Sequence, residues 1–201
     1  MATKSASPYD LARELIDAAH RKDLAYLERT THSEQASTPS NDDEPPSQQQ
    51  DELAYADAVE EWAVKLLKND PNASRLINGP GGLQLLRLAA RCQHLERFLT
   101  PRSSFPDGKV GYLKWRKALY SIQADRAKEL LSQAGINHEE QVMVRRWVSK
   151  TDLKPGKEDG DAGTQLLEDA AVFAFLQDQL AGFAHQHQDY TKGRFIGILA
   201  K

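Results

Sequence analysis

His94 is the histidine whose neighbours suggest chemistry. Arg87, Arg91 and His94 stand at i, i+4 and i+7, so on one continuous helix they share a face. Two guanidinium groups beside an imidazole favour its neutral form. They could also grip a phosphate or carboxylate, whose oxygens match the guanidinium fork. A solvated face with an incidental histidine would show the same spacing. Just downstream, TPRSSFPDGKVGYLKWRKAL gathers Arg102, Ser103, Lys114, Arg116 and Lys117 around a proline-rich loop and a helix start. Arginine, hydroxyls and backbone N–H groups at such a place commonly hold an anion. Neither GxxxxGK[ST] nor GxGxxG is present, so no phosphate-loop signature supports this. Tyr112 and Trp115 read as core anchors rather than stacking platforms.

A second candidate lies near the C-terminus in QLLEDAAVFAFLQDQLAGF, where Glu168 and Asp169 interrupt an apolar helix. A carboxylate beside a core is costly without a partner or a metal. Asp169 shares a face with Phe173, Leu176 and Leu180. Both acids could instead sit in the first turn, where exposed N–H groups favour negative charge, and Glu168 fits that reading better. His185 and His187 do not face each other, His20, His32 and His138 have no matching partners, and GxSxG, HExxH and paired CxxC motifs are missing.

The elements that must position these groups read as helices. Tyr9 to Arg29 carries an apolar stripe. Asp51 to Lys68 is amphipathic and stops at Asn69-Asp70-Pro71. Leu83 to Leu99 spaces Leu85, Leu88, Cys92, Leu95 and Leu99 into one seam. Tyr112 to Gln133, His138 to Lys150 and Thr164 to His185 follow, and Phe195 to Leu199 is a short closing element. Alternating strand patterns and internal repeats are absent. The expected fold is all-α, one compact domain of about six to seven helices. Its organisation is an N-terminal helix in residues 1–30 docked on a core in 51–201, with a disordered acidic insert at 31–50. That insert has no apolar residue larger than Ala, too little to offset the entropy of ordering it.

Composition narrows the function. The chain has 201 residues, a net charge of -3 and one cysteine, Cys92. That excludes an internal disulfide and a cysteine-based zinc site. Cys92, inside an apolar helix, reads as a buried thiol. A sequence pI near 6.1 argues against a general nucleic-acid binder. No apolar run reaches a membrane span and no hydrophobic signal region opens the chain, so a cytoplasmic protein is expected. Between Leu83 and Lys117, however, eight residues are Lys or Arg and two are acidic. Between Ser33 and Val64 there are nine acids and no Lys or Arg. The basic segment therefore faces an anionic partner, a solvated surface, or these acids.

The run LRLAARCQHLERFLTPRSSFPDGKVGYLKWRKAL, with PYDLARELIDAAH and LEDAAVFAFLQDQ, resembles the uncharacterised domain-of-unknown-function family 4202. More remotely, the helix order resembles the His-Asp metal-dependent phosphohydrolase superfamily. That resemblance implies a divalent metal held by His94 and Asp169. It also implies a hydrolase-like or transferase-like role for His94, Asp169 and Glu168 on a phosphorylated or otherwise anionic small molecule, oriented by Arg87, Arg91, Arg102, Ser103, Lys114 and Arg116. The departures are specific. Leu95 follows His94 where the superfamily has aspartate, and Ala54, Gln123 and Lys150 fall near its other histidines. Relatives are sometimes labelled glutamyl-tRNA synthetases, but HIGH and KMSKS-like signatures are absent and no Rossmann core is expected. A non-catalytic module for an anion, a nucleotide or an RNA phosphate is the alternative.

Overall fold

The computed structural model describes residues 6–23, 52–71, 77, 81–186 and 191–193. Helix α1 (Pro8–His20) opens with a reciprocal cap. The Ser7 hydroxyl accepts from the Asp10 N–H, and the Asp10 carboxylate accepts from the Ser7 N–H. Pro8 occupies the first turn, where its missing N–H costs nothing. Helices α2 (Glu52–Asn69), α3 (Gly82–Arg91), α4 (Gly108–Gln133), α5 (His138–Val148), α6 (Ala162–Asp178) and α7 (Leu180–Gln186) follow, with short 3-10 turns at Arg97–Leu99 and Arg102–Ser104. The described residues contain no strand, and the domain is all-α. None of their helices is long and apolar enough to cross a membrane.

Helix α3 is the hub, packing against α1, α2, α5 and α6. Leu85, Leu86, Leu88, Ala89 and Ala90 are all buried. Around it, α4 packs on α5 and α1, and α6 packs on α2, α5 and α7. Ile16, Val59, Leu131, Val144 and Leu167 bring the surrounding helices into one core. Cys92 is buried there, and burial pushes its thiol up to about 12.

Arg91 joins three of these helices. Its side chain is only 2% exposed. Nε donates to Asp17 of α1 at 2.6 Å, and Nη1 donates to Asp57 and Glu60 of α2 at 2.6 and 2.8 Å. Glu60 also receives Arg13 and Arg87. Burial alone would raise the Glu60 carboxyl, but these arginines outweigh it and hold the group down at about 2. A charge this deep is tolerated only when it is paired in this way.

The structure shifts several expected boundaries. Helix α1 ends at His20, and Leu11 is 43% exposed because Ala12, Ile16 and Ala19 form the inward stripe. The seam predicted to run to Leu99 leaves the helix after Arg91. His94 and Glu96 have left-handed backbones, with φ of 59° and 50°. Cys92 and Leu95 stay buried while Leu99 is 66% exposed. Tertiary bonds favour the turn: Glu96 accepts from Arg126 of α4, and Glu52 of α2 accepts from the Phe98 N–H. The long C-terminal helix divides at Gln179 into α6 and α7. Residues 31–50 and 195–199, where the insert and the closing element were expected, lie outside the described residues.

Candidate functional site

The turn after α3 turns His94 away from the helix face of Arg87 and Arg91. The imidazole stacks on Tyr55 of α2, with ring centroids 4.1 Å apart and planes 11° apart. Arg97 Nη1 lies 3.1 Å from His94 Nε2 and 3.4 Å from Nδ1. No point in the ring plane is that near both nitrogens without overlapping Cε1, so the guanidinium covers the ring's other face. Arg97 in turn lies 4.7 Å from the centroid of Trp115, on α4. Four flat groups thus form a stack: Tyr55, His94, Arg97 and Trp115. The Trp115 indole N–H donates to the Thr100 carbonyl at 2.8 Å and fixes the far end. The stack clamps His94 by both faces, while its ring edge has no in-plane hydrogen-bond partner among the described residues.

The contacts continue along α4. Tyr112 tilts against Trp115 with centroids 5.9 Å apart. Arg116 donates to the hydroxyls of Tyr112 and Tyr120 at 3.4 and 2.9 Å. Lys150, just past α5, lies 4.8 Å from the Tyr120 ring centroid and is ion-paired with Glu168 of α6. Glu168 acts electrostatically on Tyr55, whose hydroxyl is pushed up to about 12, chiefly by burial. The chain of neighbours therefore returns to its start. It brings three cations from separate elements, Arg97, Arg116 and Lys150, around His94. Burial first, and then these three charges, hold the His94 imidazole well below its ordinary range. It is neutral at physiological pH, with a lone pair on its edge.

Among the described residues, two of the four non-glycine positions with positive φ, His94 and Lys150, belong to this cluster. The others, Glu96 and Asp152, lie two positions beyond each. Such backbone costs about 1–2 kcal/mol per residue and persists where surrounding contacts over-determine it.

The sequence-derived candidates divide. His94, Glu168 and Arg116 come together. Glu168 sits in the second turn of α6, beyond the Asp161 cap, and is held by Lys150 rather than by the helix N-terminus. Asp169 accepts from Gln165 at 2.8 Å and lines a groove with Leu66, Lys154 and Gln165. Burial, opposed by Gln165, raises its carboxyl. Its hydrogen bond points it to the groove, and no described contact joins it to His94. The guanidinium groups of Arg87 and Arg91 are taken up by the carboxylates of α1 and α2. Arg102 donates to the carbonyls of Phe105, Pro106 and Gly108 and shapes the loop. Ser103 and Lys114 are exposed. Trp115 is buried as expected, but Tyr112 is 42% exposed, so the anchor reading fails for it.

Sequence reasoning overlooked Tyr55, Arg97 and Tyr120, set His20 aside as lacking a matching partner, and weighed Lys150 only through the remote resemblance. The Tyr112, Arg116, Tyr120 spacing of four was the available signal on α4. A metal fits poorly here. The cluster offers one imidazole and one lysine-paired carboxylate among three cations. The described residues hold no group of three or more His, Cys, Asp or Glu side chains able to bind an ion.

Residues 10–201 match the model of the family described as Domain of unknown function (DUF4202), and the chain belongs to that family. No curated protein and no solved structure matches it.

Proposed function

We propose that in this member of a family of unknown function the cluster around His94 binds the phosphate group of a small molecule. The single observation that carries this is the convergence of Arg97, Arg116 and Lys150 on a clamped, neutral imidazole, opposed, among the described residues in direct contact with them, by the carboxylate of Glu168. Arginine forks and a lysine point charge suit phosphate oxygens. The neutral His94 edge can give or take a hydrogen bond with the same ligand. The reaction this supports is hydrolysis or transfer at the phosphorylated group, with His94 beside the reacting atoms and Glu168 holding Lys150. The remote likeness to the His-Asp phosphohydrolases gains support from position. Lys150 is part of the cluster, and Gln123 shares the α4 face of Arg116 and Tyr120. No step is assigned to a metal, since the residues present do not suit one. A cytoplasmic setting accompanies this reading.

The test is calorimetric titration of the full chain with inorganic phosphate. Arg97→Ala, Arg116→Ala and Lys150→Ala are each expected to weaken binding about tenfold or more, the loss of one charge-assisted bond. Arg87→Ala should leave it nearly unchanged. Equal losses in all four, or no binding in wild type, would sink the reading. A phosphomonoester and nucleotide hydrolysis screen, with His94→Ala and Asp169→Ala alongside wild type, separates the enzyme from the binding-only alternative. Turnover lost in His94→Ala supports the enzyme. Phosphate binding without turnover supports a non-catalytic module.

A further inference from the structure

Among the described residues, three buried side-chain polar atoms lack a hydrogen-bond partner: His20 Nδ1, Glu52 Oε2 and Gln123 Nε2. They come from α1, α2 and α4. Such orphans are rare in folded proteins and call for a physical explanation. His20 and Glu52 border the stack. His20 lies within electrostatic reach of His94. Glu52 accepts from the Phe98 N–H at 3.1 Å and lies within electrostatic reach of Arg97. Gln123, 6% exposed, is one turn beyond Tyr120 on the face that carries Arg116.

Their chemistry is specific. His20 Nε2 is 2.7 Å from the Arg91 carbonyl, which can only accept, so Nε2 carries the proton. Burial keeps the ring neutral, leaving Nδ1 as an acceptor. Glu52 Oε1 is occupied by the Phe98 N–H, and the carboxyl is pushed up to about 8 by burial and by Asp23. Near neutral pH Oε2 is therefore a hydroxyl-like donor. Gln123 Nε2 is a donor. The gap from Nδ1 to Oε2 is 4.0 Å, too long for a direct bond. An oxygen about 2.8 Å from each would bridge the pair. A hydroxyl, like a water molecule, can donate to Nδ1 and accept from Oε2 or Nε2 at once. None of the three atoms carries charge, so this end repays an uncharged polar group rather than a second anion.

We infer that the ligand is the phosphate monoester of a sugar or polyol, its phosphate on Arg97, Arg116 and Lys150 and its hydroxyls against His20, Glu52 and Gln123. This rests on the phosphate site proposed above and adds the class of molecule that carries the phosphate. Calorimetry on the full chain would compare glycerol 3-phosphate and sorbitol 6-phosphate with inorganic phosphate and phenyl phosphate. The readout is the ratio of affinities. At least one polyol phosphate is expected to bind about tenfold or more tighter than phosphate and phenyl phosphate, because buried polar atoms left unpaired discriminate strongly. The ratio should fall close to one in Gln123→Leu and in His20→Phe. A wild-type ratio near one, meaning that only water fills these atoms, overturns the inference, and so does a preference that survives both substitutions. Absence of any phosphate binding would instead remove the site on which the inference depends.

Discussion

Glu52 shows how much a single side chain can bias this molecule. Its carboxyl is raised from 4.5 to about 8, first by burial and then by Asp23. A group with a raised folded pKa binds more protons folded than unfolded, so stability falls as pH climbs from about 4.5 to 8. Glu52→Gln mimics the protonated acid and should lack that loss. Thermal melts are expected to show the variant level with wild type in acid and more stable above pH 8, by on the order of a few kcal/mol. A constant difference across that window would mean that the carboxyl is already ionised when folded. Glu60 acts with the opposite sign. Held down at about 2 by three arginines against its own burial, it contributes stability above its unfolded pKa that is lost as pH falls toward 2.

At the scale of elements, the contact between α5 and α6 rests on a missing side chain. A Cβ on Gly163 would overlap the Trp147 indole. Helix propensity alone would make Gly163→Ala a gain of about 1 kcal/mol. Overpacking a rigid ring typically costs about 1–3 kcal/mol, so a net loss of stability is expected in denaturant melts. A stabilised variant would show that the indole can move aside. The same conflict between local preference and packing explains which elements the sequence revealed. Helices α2 to α6 were legible because apolar residues recur at steps of three and four. The end of α3 was not, because the 83–99 pattern stays helical to Leu99. Only Glu96 reaching Arg126 and Phe98 reaching Glu52 pull the chain into a turn. That one misplaced boundary hid the site. On an unbroken helix His94 lines up with Arg87 and Arg91. In the turn it meets Tyr55 and Arg97, which lie 39 residues before it and three after it. Arg116 and Tyr120 were readable on α4, whereas Lys150 and Glu168 meet only through the packing of α5 on α6.

For the whole molecule, the net charge of -3 hides two opposed regions. Part of the basic segment is neutralised internally by Asp17, Asp57 and Glu60. Of the remainder, Arg97 and Arg116 lie beside His94, where Lys150 joins them. Phosphate affinity should therefore fall as salt rises from about 0.05 to 0.5 M, since the Debye length shrinks below about 10 Å. Insensitivity over that range would place the anion away from these cations. The left-handed turns at His94 and Lys150 bear on descent as well. Glycine reaches that backbone without strain, and asparagine visits it more readily than most residues. A lineage released from the need for this imidazole and this ammonium would drift toward those two residue types at positions 94 and 150. A histidine and a lysine maintained there would mark the lineages in which selection still acts on what the side chains do.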